Sequence, residues 1–513
     1  MKHLTTLLAA IAVALATNTS PAAADEKPMN VLFIAVDDLK PAIGAFGDDF
    51  AVTPNLDRLS MRGAAFTNAH CQQAVCAPSR VSLLTGLRPD ITKVWNLKTE
   101  MRDHLPDVVT LPQRFKMAGY QSIGMGKIFD HRSAGGFNSM DAVSWSEPFI
   151  NIRSPAGEFF GFQDPDVVEQ VRERKAHPDF PKRGYHERAR FVFPERRPPT
   201  DRADVPDEAY HDGAMTEVAK ERLDGFAQSE EPFFLAVGFY KPHLPFNAPE
   251  KYWAMYDRDA IELAAFQEAP EGAPDYVTQP GWELRSGYNT PREGPIPEEM
   301  QYDLIHGYYA TVSYIDAQVG ELMAHLDETG LADNTIVVLW GDHGFHLGDH
   351  AMWCKHSNFE QATRSPLIFV DPRHDPVGPN ASPVEFLDIY PTLLEMTGLS
   401  PMGDMHGHSL VPIVQGEADR VKEVAVSQYP RGGAGDNHLM GYAFRTDRYR
   451  LVLWRDMDAR NLGETSGPIV DVELYDYEAD PLETRNLASD PEYAEVRQKL
   501  EALAETIPHT GRP

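Results

Sequence analysis

The 513-residue sequence has few cysteines, few basic residues and no long apolar run beyond its N-terminal segment. Its three cysteines are too few for a disulfide-stapled scaffold or a four-cysteine zinc site. Lysine and arginine number 47 against 77 aspartates and glutamates, which gives a formal net charge of −30 at pH 7. Such a chain is not expected to bind nucleic acid or an anionic membrane through its overall field. An anionic ligand would need a local cluster of cations.

The extended apolar segment lies at the start of the chain. Residues 4–16 are almost uncharged, follow Lys2 and lead to three alanines at positions 22–24. This is the layout of a secretory signal peptide with a small-residue cleavage site. The segment is too short to span a bilayer comfortably, and no later run approaches the roughly 20 apolar residues of a membrane span. The sequence therefore predicts that residues 1–24 are a signal peptide cleaved after Ala24 and that the mature protein is secreted or periplasmic.

Several short apolar runs end in polar residues and alternate with helical patterns. The four runs cover residues 31–36, 120–125, 233–239 and 336–340, and helical patterns cover residues 111–118 and 303–326. This alternation predicts an α/β fold with a large, mostly parallel central sheet flanked by helices. In such sheets ligands bind beyond the carboxyl ends of the strands. The polar residues that follow the four runs are therefore expected to meet in one crevice.

The rest of the chain follows other patterns. Residues 132–232 are rich in proline and arginine with weak periodicity, which predicts a long variable insertion over the sheet. Within it, residues 171–202 have a local net charge of +5, typical either of a solvated loop or of a basic rim that guides a polyanion. From about residue 424, short strands separated by turns and a final helix predict a small C-terminal antiparallel sheet plus helix. We therefore expect a catalytic α/β domain over 25–423 and an α+β subdomain over 424–513.

The most informative pattern is Cys-Ala-Pro-Ser-Arg-Val-Ser-Leu-Leu-Thr-Gly at residues 76–86. Pro78 suits the first turn of a helix and Gly86 suits its C-cap. Cys76 would then lie at the helix N-terminus, where backbone N–H groups and the dipole favour an anion, with Arg80 one turn further along the same face. From this pattern alone, Cys76 is either a low-pKa nucleophile or a buried inert thiol.

This segment resembles the signature of the sulfatase family, Cys-x-Pro-Ser-Arg followed by Leu-Thr-Gly, in which the cysteine is oxidised to Cα-formylglycine. Its wider context, residues 72–82, resembles the iduronate-2-sulfatase branch. Further matching motifs lie, in the expected order, at residues 31–38, 53–57, 124–129, 241–246, 342–344, 355–359 and 474–476. The resemblance covers most of the chain except residues 132–232 and parts of 255–300. It implies an alkaline-phosphatase-like fold and an enzyme that hydrolyses sulfate esters of a sulfated oligo- or polysaccharide.

The resemblance also implies one calcium ion per chain. Its ligands would be Asp37, Asp38, Asp342, His343 and the modified Cys76. Several carboxylate oxygens suit a hard cation. Zinc is less suited because the cluster is rich in oxygen and lacks a trio of thiolates.

In the mechanism that the resemblance implies, formylglycine 76 is hydrated and one hydroxyl attacks sulfur, giving a covalent sulfo-enzyme and a free alcohol. The second hydroxyl then expels sulfate. Arg80 would orient the diol, while Lys127 and Lys355 would bind sulfate oxygens. His243, with or without Lys355, would protonate the leaving alkoxide. The implied partners are the sulfated saccharide and a formylglycine-generating maturation enzyme.

One departure from the branch pattern lies beside the Gly-Lys motif. The branch has Gly-Lys-x-Phe-His, whereas this chain has Asp130 in the histidine position and His131 displaced by one residue. Either His131 reaches the site through a changed loop, or Asp130 takes the proton-transfer or substrate-contact role. The third alternative is that neither residue takes part.

A second departure is the presence of Cys71 and Cys354 in positions where relatives carry small residues. Cys71 lies five residues before Cys76, and Cys354 adjoins Lys355. One hypothesis is that the two form a disulfide that braces the site in an oxidising compartment. The alternative is two separate buried thiols.

Two other functions compete with a sulfatase. One is a formylglycine-dependent phosphodiesterase or phosphonate monoester hydrolase of the same superfamily. The other is a non-catalytic, secreted sulfoglycan-binding protein in which the cysteine is never converted. Because specificity lies in loops around the crevice, the branch resemblance does not imply iduronate as the sugar. Export and an acidic surface favour degradation of an environmental sulfated polysaccharide.

Overall fold

The computed structural model describes residues 27–432, 438–457 and 467–507. The predicted signal peptide, residues 1–24, lies outside these ranges. Within them, none of the helices combines the length and the apolar character that crossing a membrane requires.

The longer strands of the described residues belong to the central or C-terminal sheet. In chain order they are β1 (Asn30–Asp37), β2 (Ala64–Phe66), β3 (Ala69–His70), β4 (Gln121–Gly126), β5 (Thr200–Ala203), β6 (Phe233–Pro242), β7 (Phe246–Pro249), β8 (Thr335–Gly341), β9 (His346–Leu347), β10 (Trp353–Cys354), β11 (Leu367–Val370), β12 (Gly378–Asn380), β13 (Val384–Glu385), β14 (Ala425–Gly432), β15 (His438–Arg445), β16 (Tyr449–Met457) and β17 (Ile469–Asp476).

The α-helices range from single turns to one helix of 31 residues. They are α1 (Pro54–Ser60), α2 (Cys76–Thr85), α3 (Pro89–Thr92), α4 (Met101–His104), α5 (Leu111–Met117), α6 (Pro155–Glu158), α7 (Pro165–Ala176), α8 (Tyr185–Val192), α9 (His211–Phe226), α10 (Glu250–Trp253), α11 (Trp282–Gly287), α12 (Glu298–Glu328), α13 (Glu360–Thr363), α14 (Ile389–Met396), α15 (Val411–Val414) and α16 (Ala494–Glu505).

The central sheet has seven strands in the order β12-β2-β11-β8-β1-β6-β4. Strand β1 pairs in parallel with β6 and β8, and β4 pairs in parallel with β6, whereas β11 is antiparallel to both of its neighbours. Every residue of β1 is buried, as expected for a strand covered by helices on both faces. The four predicted runs form β1, β4, β6 and β8, so the predicted mostly parallel α/β sheet is confirmed.

Side chains of β1 alternate between two apolar clusters on opposite faces of the sheet. Leu32 and Ile34 belong to the cluster that includes α9 and α12, while Val31 and Phe33 belong to the cluster that includes α2, α5 and α14. The sheet is therefore packed between two helical layers, and the end of β1 that carries Asp37 is fixed between them.

The proposed disulfide between Cys71 and Cys354 is wrong, because both cysteines are free and buried. Cys354 packs in the first of the two clusters and Cys71 in the second. The two thiols therefore pack in different apolar clusters, although both are near residues of the same motifs in sequence.

Residues 132–232 contain α6 to α9 and β5 rather than an extended loop. Helix α9 buries Met215, Ala219 and Leu223 against the first cluster. Helices α7 and α8 share a small apolar cluster with Val171 as the one buried residue of α7. The many charged residues of α7 and α8 dilute the periodic pattern, which is why the sequence predicts so little structure here. The boundaries of the insertion and of the C-terminal subdomain stay predictions.

The C-terminal residues form the predicted antiparallel sheet plus helix. Strands β14 to β17 pair in sequence order, and Thr446 N donates to Tyr449 O at 2.9 Å in the turn between β15 and β16. Leu500 and Ala504 of α16 pack with Leu453 and Leu474 on one face of this sheet. The other face packs against Phe359, close in sequence to Lys355.

Candidate active site

Carboxylates and cations follow the central parallel strands at one edge of the sheet. Strand β1 ends at Asp37, and Asp38 follows with a positive φ of 61° that turns the chain across the strand ends. Asp342 follows β8, and the backbone N–H of Asp38 donates to its Oδ1 at 2.9 Å. The two strand ends are thus bonded to each other, as the parallel pairing of β1 and β8 predicts.

Arg80 is fully buried among these carboxylates. Its Nε donates to Asp342 Oδ2 at 2.8 Å, and its Nη2 donates to Asp37 Oδ1 at 3.1 Å. Its Nη1 donates to the carbonyl oxygens of Lys127 and Ile128. One planar guanidinium therefore fixes the ends of three strands, a geometry that a lysine could not reproduce.

Two lysines form ion pairs with the aspartates at the end of β1. Lys127 Nζ donates to Asp37 Oδ2 at 2.5 Å, and Lys355 Nζ donates to Asp38 at 2.9 and 2.8 Å. Burial alone would lower the pKa of Lys355, but Asp38 and then Glu283 hold it well above its ordinary value. Both ammonium groups are therefore charged at neutral pH.

Lys127 depends on a close approach between β4 and β6. Its backbone N–H donates to Gly238 O at 2.7 Å. A Cβ at Gly238 would lie 2.4 Å from the carbonyl carbon of Lys127, so this position requires glycine.

Helix α2 begins at Cys76 and ends at Thr85, and its C-cap Gly86 has a left-handed φ of 72°, as the sequence predicts. Cys76 Sγ lies 3.4 Å from Lys127 Nζ and 3.5 Å from His343 Nε2. Burial raises the pKa of the Cys76 thiol well above its ordinary value, although Lys127 lowers it. An unmodified Cys76 is therefore a thiol at neutral pH and a weak nucleophile.

The donors around His343 fit a cation. His343 Nδ1 is 3.0 Å from Gly344 O, and in the tautomer that donates to this carbonyl oxygen Nε2 presents a lone pair. That nitrogen faces Asp38 Oδ1 at 3.4 Å, Asp342 Oδ2 at 3.6 Å and Cys76 Sγ. Acceptors converging in this way are stabilised by a cation between them, and the oxygen-rich set suits a hard ion.

Asp37 belongs to the same group of donors. Ligand atoms of Asp37, Asp38, Cys76 and His243 all lie within 4.8 Å of one another. Although burial would raise it, Lys127 holds the pKa of Asp37 well below its ordinary value. The predicted metal residues are thus brought together, and His243 lies beside them without having been predicted as a ligand.

His243 lies at the mouth of the crevice. Its Nδ1 is 2.7 Å from Leu244 O, and its Nε2 is 2.9 Å from Glu283 Oε1 and 3.9 Å from Asp38 Oδ2. Its side chain is 22% exposed, whereas that of Lys355 is almost completely buried. His243 is therefore accessible from solvent, whereas Lys355 is not.

Glu283, on α11, is a site residue that the sequence does not reveal. Its carboxylate bridges His243 Nε2 and Lys355 Nζ, with Oε2 at 2.7 Å from the lysine. Burial would raise its pKa, but Lys355 and His243 hold it well below the ordinary value. It lies in the segment 255–300, where no motif marks it.

Asp130 and His131 do not point freely into the crevice. Asp130 is fully buried, and Arg132 donates to its two oxygens at 2.8 and 2.7 Å. The ring of His131 stacks on Phe137 with centroids 3.6 Å apart. The contacts of the described residues join neither side chain to Cys76, and the roles considered for them stay predictions.

The C-terminal sheet braces the loop that carries Lys355. Arg431 Nη2 donates to His356 O at 2.7 Å, and Asn358 Nδ2 donates to Gly441 O at 3.1 Å. Gln279 Nε2 donates to Lys355 O at 2.8 Å. The position of the lysine therefore depends on β14 and β15 as well as on the central sheet.

Comparisons with known proteins find family models and a relative that match most of this chain. The family model described as Sulfatase matches residues 29–399, and the model described as N-sulphoglucosamine sulphohydrolase, C-terminal, matches residues 348–508. Iduronate 2-sulfatase of Homo sapiens is 32% identical over 96% of this chain and 97% of its own length.

Two solved structures share the fold. One is described as a 2-O GAG sulfatase, with a TM-score of 0.65 and 22% identity over 94% of this chain and 92% of the other. The second is a phosphonate monoester hydrolase from Silicibacter pomeroyi, with a TM-score of 0.69 and 21% identity over 93% of this chain and 94% of the other.

Proposed function

This chain belongs to the sulfatase family and is a sulfuric ester hydrolase, and we propose that it removes sulfate from a sulfated carbohydrate through a Cα-formylglycine made from Cys76. The observation that carries the proposal is the position of Cys76, at the start of α2 between Lys127 and His343. A carbohydrate substrate is supported by the similarity to an iduronate 2-sulfatase over nearly the whole chain.

We propose that a calcium ion is held by Asp37, Asp38, Asp342, His343 and residue 76. The convergence of their oxygen and nitrogen donors supports this assignment. When bound, the ion would supply positive charge to the sulfate oxygens. The choice of calcium rests on the family resemblance and on the oxygen-rich donors.

The nucleophile is proposed to be a hydroxyl of the hydrated formylglycine, and a covalent sulfo-enzyme follows its attack on sulfur. Arg80 would hold the diol against the strand ends. Lys127 would bind a sulfate oxygen, since its Nζ lies 3.4 Å from Cys76 Sγ. Lys355, which is paired with Asp38, would bind a second one.

His243 is the proposed donor of a proton to the leaving alkoxide. Its Nδ1 lies beside Leu244 O and its Nε2 lies 2.9 Å from Glu283 Oε1, so a carboxylate orients the nitrogen that is proposed to deliver the proton. Its partly exposed position matches a group that contacts the alcohol rather than the sulfate. Lys355, which shares Glu283 with His243, would assist.

We also propose that the protein is exported, with residues 1–24 removed, and that a formylglycine-generating enzyme modifies it. The apolar segment and its alanine-rich end support export. Degradation of an environmental sulfated polysaccharide is the corresponding role.

The test is sulfate release from a panel of defined sulfated oligosaccharides, with a phosphodiester and a phosphonate monoester measured on the same preparation. We expect release from at least one sulfated sugar and its loss in Cys76→Ala. Faster cleavage of the phosphorus substrates would contradict the proposal. Saccharide binding without any turnover by protein that carries formylglycine would favour a binding protein instead.

A further inference from the structure

Arg132 is held rigidly by a buried carboxylate beside the active site. Asp130 is fully buried, and it accepts hydrogen bonds from Nε, Nη2 and the backbone N–H of Arg132 at 2.8, 2.7 and 3.0 Å. The side chain of Arg132 is nevertheless 40% exposed. Its Nη1 has no hydrogen-bond partner among the described residues.

The loop that carries this pair is part of the crevice. It begins at Lys127, and Arg80 donates to Ile128 O at 3.1 Å, so the loop is fixed to the nucleophile helix. Lys127 Nζ lies 3.4 Å from Cys76 Sγ, and Arg132 follows Lys127 by five residues in the same loop. The guanidinium is therefore carried by the loop that borders the proposed reacting residue.

A second pair has the same local geometry far from the site. Arg373 donates to Asp371 through its Nε, Nη2 and backbone N–H at 2.8, 2.7 and 3.1 Å. It follows β11, whose Val370 pairs with Val337 near the start of β8, at the edge of the sheet opposite to the crevice. There Nη2 also donates to Met396 O and ties two segments together. Among the described residues, no hydrogen bond joins the guanidinium of Arg132 to a segment other than its own loop.

We propose that Arg132 forms a second anion-binding subsite at the mouth of the crevice. It would bind a carboxylate or a second sulfate on the saccharide whose sulfate ester is cleaved. A guanidinium already aligned by Asp130 loses little rotational freedom when it pairs with such a group. The substrate class is therefore a saccharide with two anionic groups. This inference rests on the proposed function, because it takes the crevice as the sulfate-ester site.

The test uses three oligosaccharides with one backbone: one with a single sulfate, one with an added carboxylate and one with a second sulfate. Binding is measured by calorimetry in a Cys76→Ala background, and sulfate release is measured in the mature enzyme. Arg132→Gln is compared with wild type and with the matched control Arg373→Gln. The double variant Asp130→Asn with Arg132→Gln avoids an unpaired buried charge.

We expect the preference for a doubly anionic saccharide to fall roughly 10- to 100-fold in both Arg132 variants, the effect of a lost charge-assisted hydrogen bond. The preference should not change in Arg373→Gln. The saccharide that loses affinity identifies the carboxylate or the sulfate as the ligand. Equal affinity changes on all three saccharides, or no binding at all, would overturn the subsite. Selective binding without sulfate release would reject the sulfatase proposal and leave the subsite standing.

Discussion

Glu283 contacts both groups that we propose to act on the sulfate ester, so we expect it to compete with a substrate sulfate. Its carboxylate lies 2.9 Å from His243 Nε2 and 2.7 Å from Lys355 Nζ. Sulfate must share or displace these contacts, and a charge-assisted hydrogen bond contributes about 1.5–3 kcal/mol. Glu283→Gln removes the negative charge and keeps the shape. Because the side chain is one-quarter exposed, we take the lower end of this range, which corresponds to roughly tenfold in affinity.

We therefore expect the inhibition constant of inorganic sulfate to fall about tenfold in Glu283→Gln, measured by competition against a hydrolysed sulfate ester. The matched control is Glu385→Gln. Glu385 is a carboxylate that likewise bridges two basic side chains, Arg88 at 2.7 Å and Lys422 at 2.8 Å, but it is buried and lies near the opposite end of α2. The control should lose stability without a change in sulfate affinity. An unchanged or higher inhibition constant in Glu283→Gln would refute the competition.

Further predictions concern the buried framework. Arg80→Lys should lower the free energy of unfolding, measured by chemical denaturation, by roughly 3–5 kcal/mol, because one ammonium group leaves buried carboxylates unpaired. A loss below about 1 kcal/mol would contradict this prediction. Gly238→Ala should lower kcat by displacing Lys127 and spare secondary structure by circular dichroism; unchanged kcat would show that the close approach is not needed. Burial lowers the pKa of His70 in the folded protein to about 3, whereas its ordinary value is 6.5. Between these two pH values the unfolded chain gains a proton at His70 as the pH falls, and the folded protein does not. Stability should therefore fall by up to about 1.4 kcal/mol per pH unit between pH 6 and 4. The slope should be smaller in His70→Gln, and parallel profiles would contradict the assignment. A chelator should abolish sulfate release and calcium should restore it, whereas full activity after dialysis against the chelator would exclude the metal.

The strands, the nucleophile helix and the strand-end carboxylates could be predicted because each leaves a local pattern. Buried parallel strands such as β1 form continuous apolar runs, and Gly86 marks the end of α2. Glu283 leaves no such pattern, since its role depends on a tertiary contact between α11 and two distant loops. The role of Arg132 depends in the same way on where the loop after β4 lies.

The cysteine hypothesis failed for a related physical reason. The hypothesis assumed that two cysteines flanking motifs of one site must lie close together. In the structure, Cys71 and Cys354 pack in different apolar clusters, because neighbouring motifs can place their flanking residues on different faces of a sheet. The residues of 132–232 were underestimated because charged helices with a single buried face residue, such as α7, show little periodicity.

The central claim is that residue 76 is the reacting group, and peptide mass spectrometry on protein from the native host tests it most directly. Trypsin releases residues 63–80 as one peptide, since Arg62 precedes it and Arg80 ends it. Conversion of Cys76 to Cα-formylglycine lowers the peptide mass by about 18 Da. We predict the lighter peptide in protein that releases sulfate. Active protein with only the unmodified cysteine peptide would contradict the account.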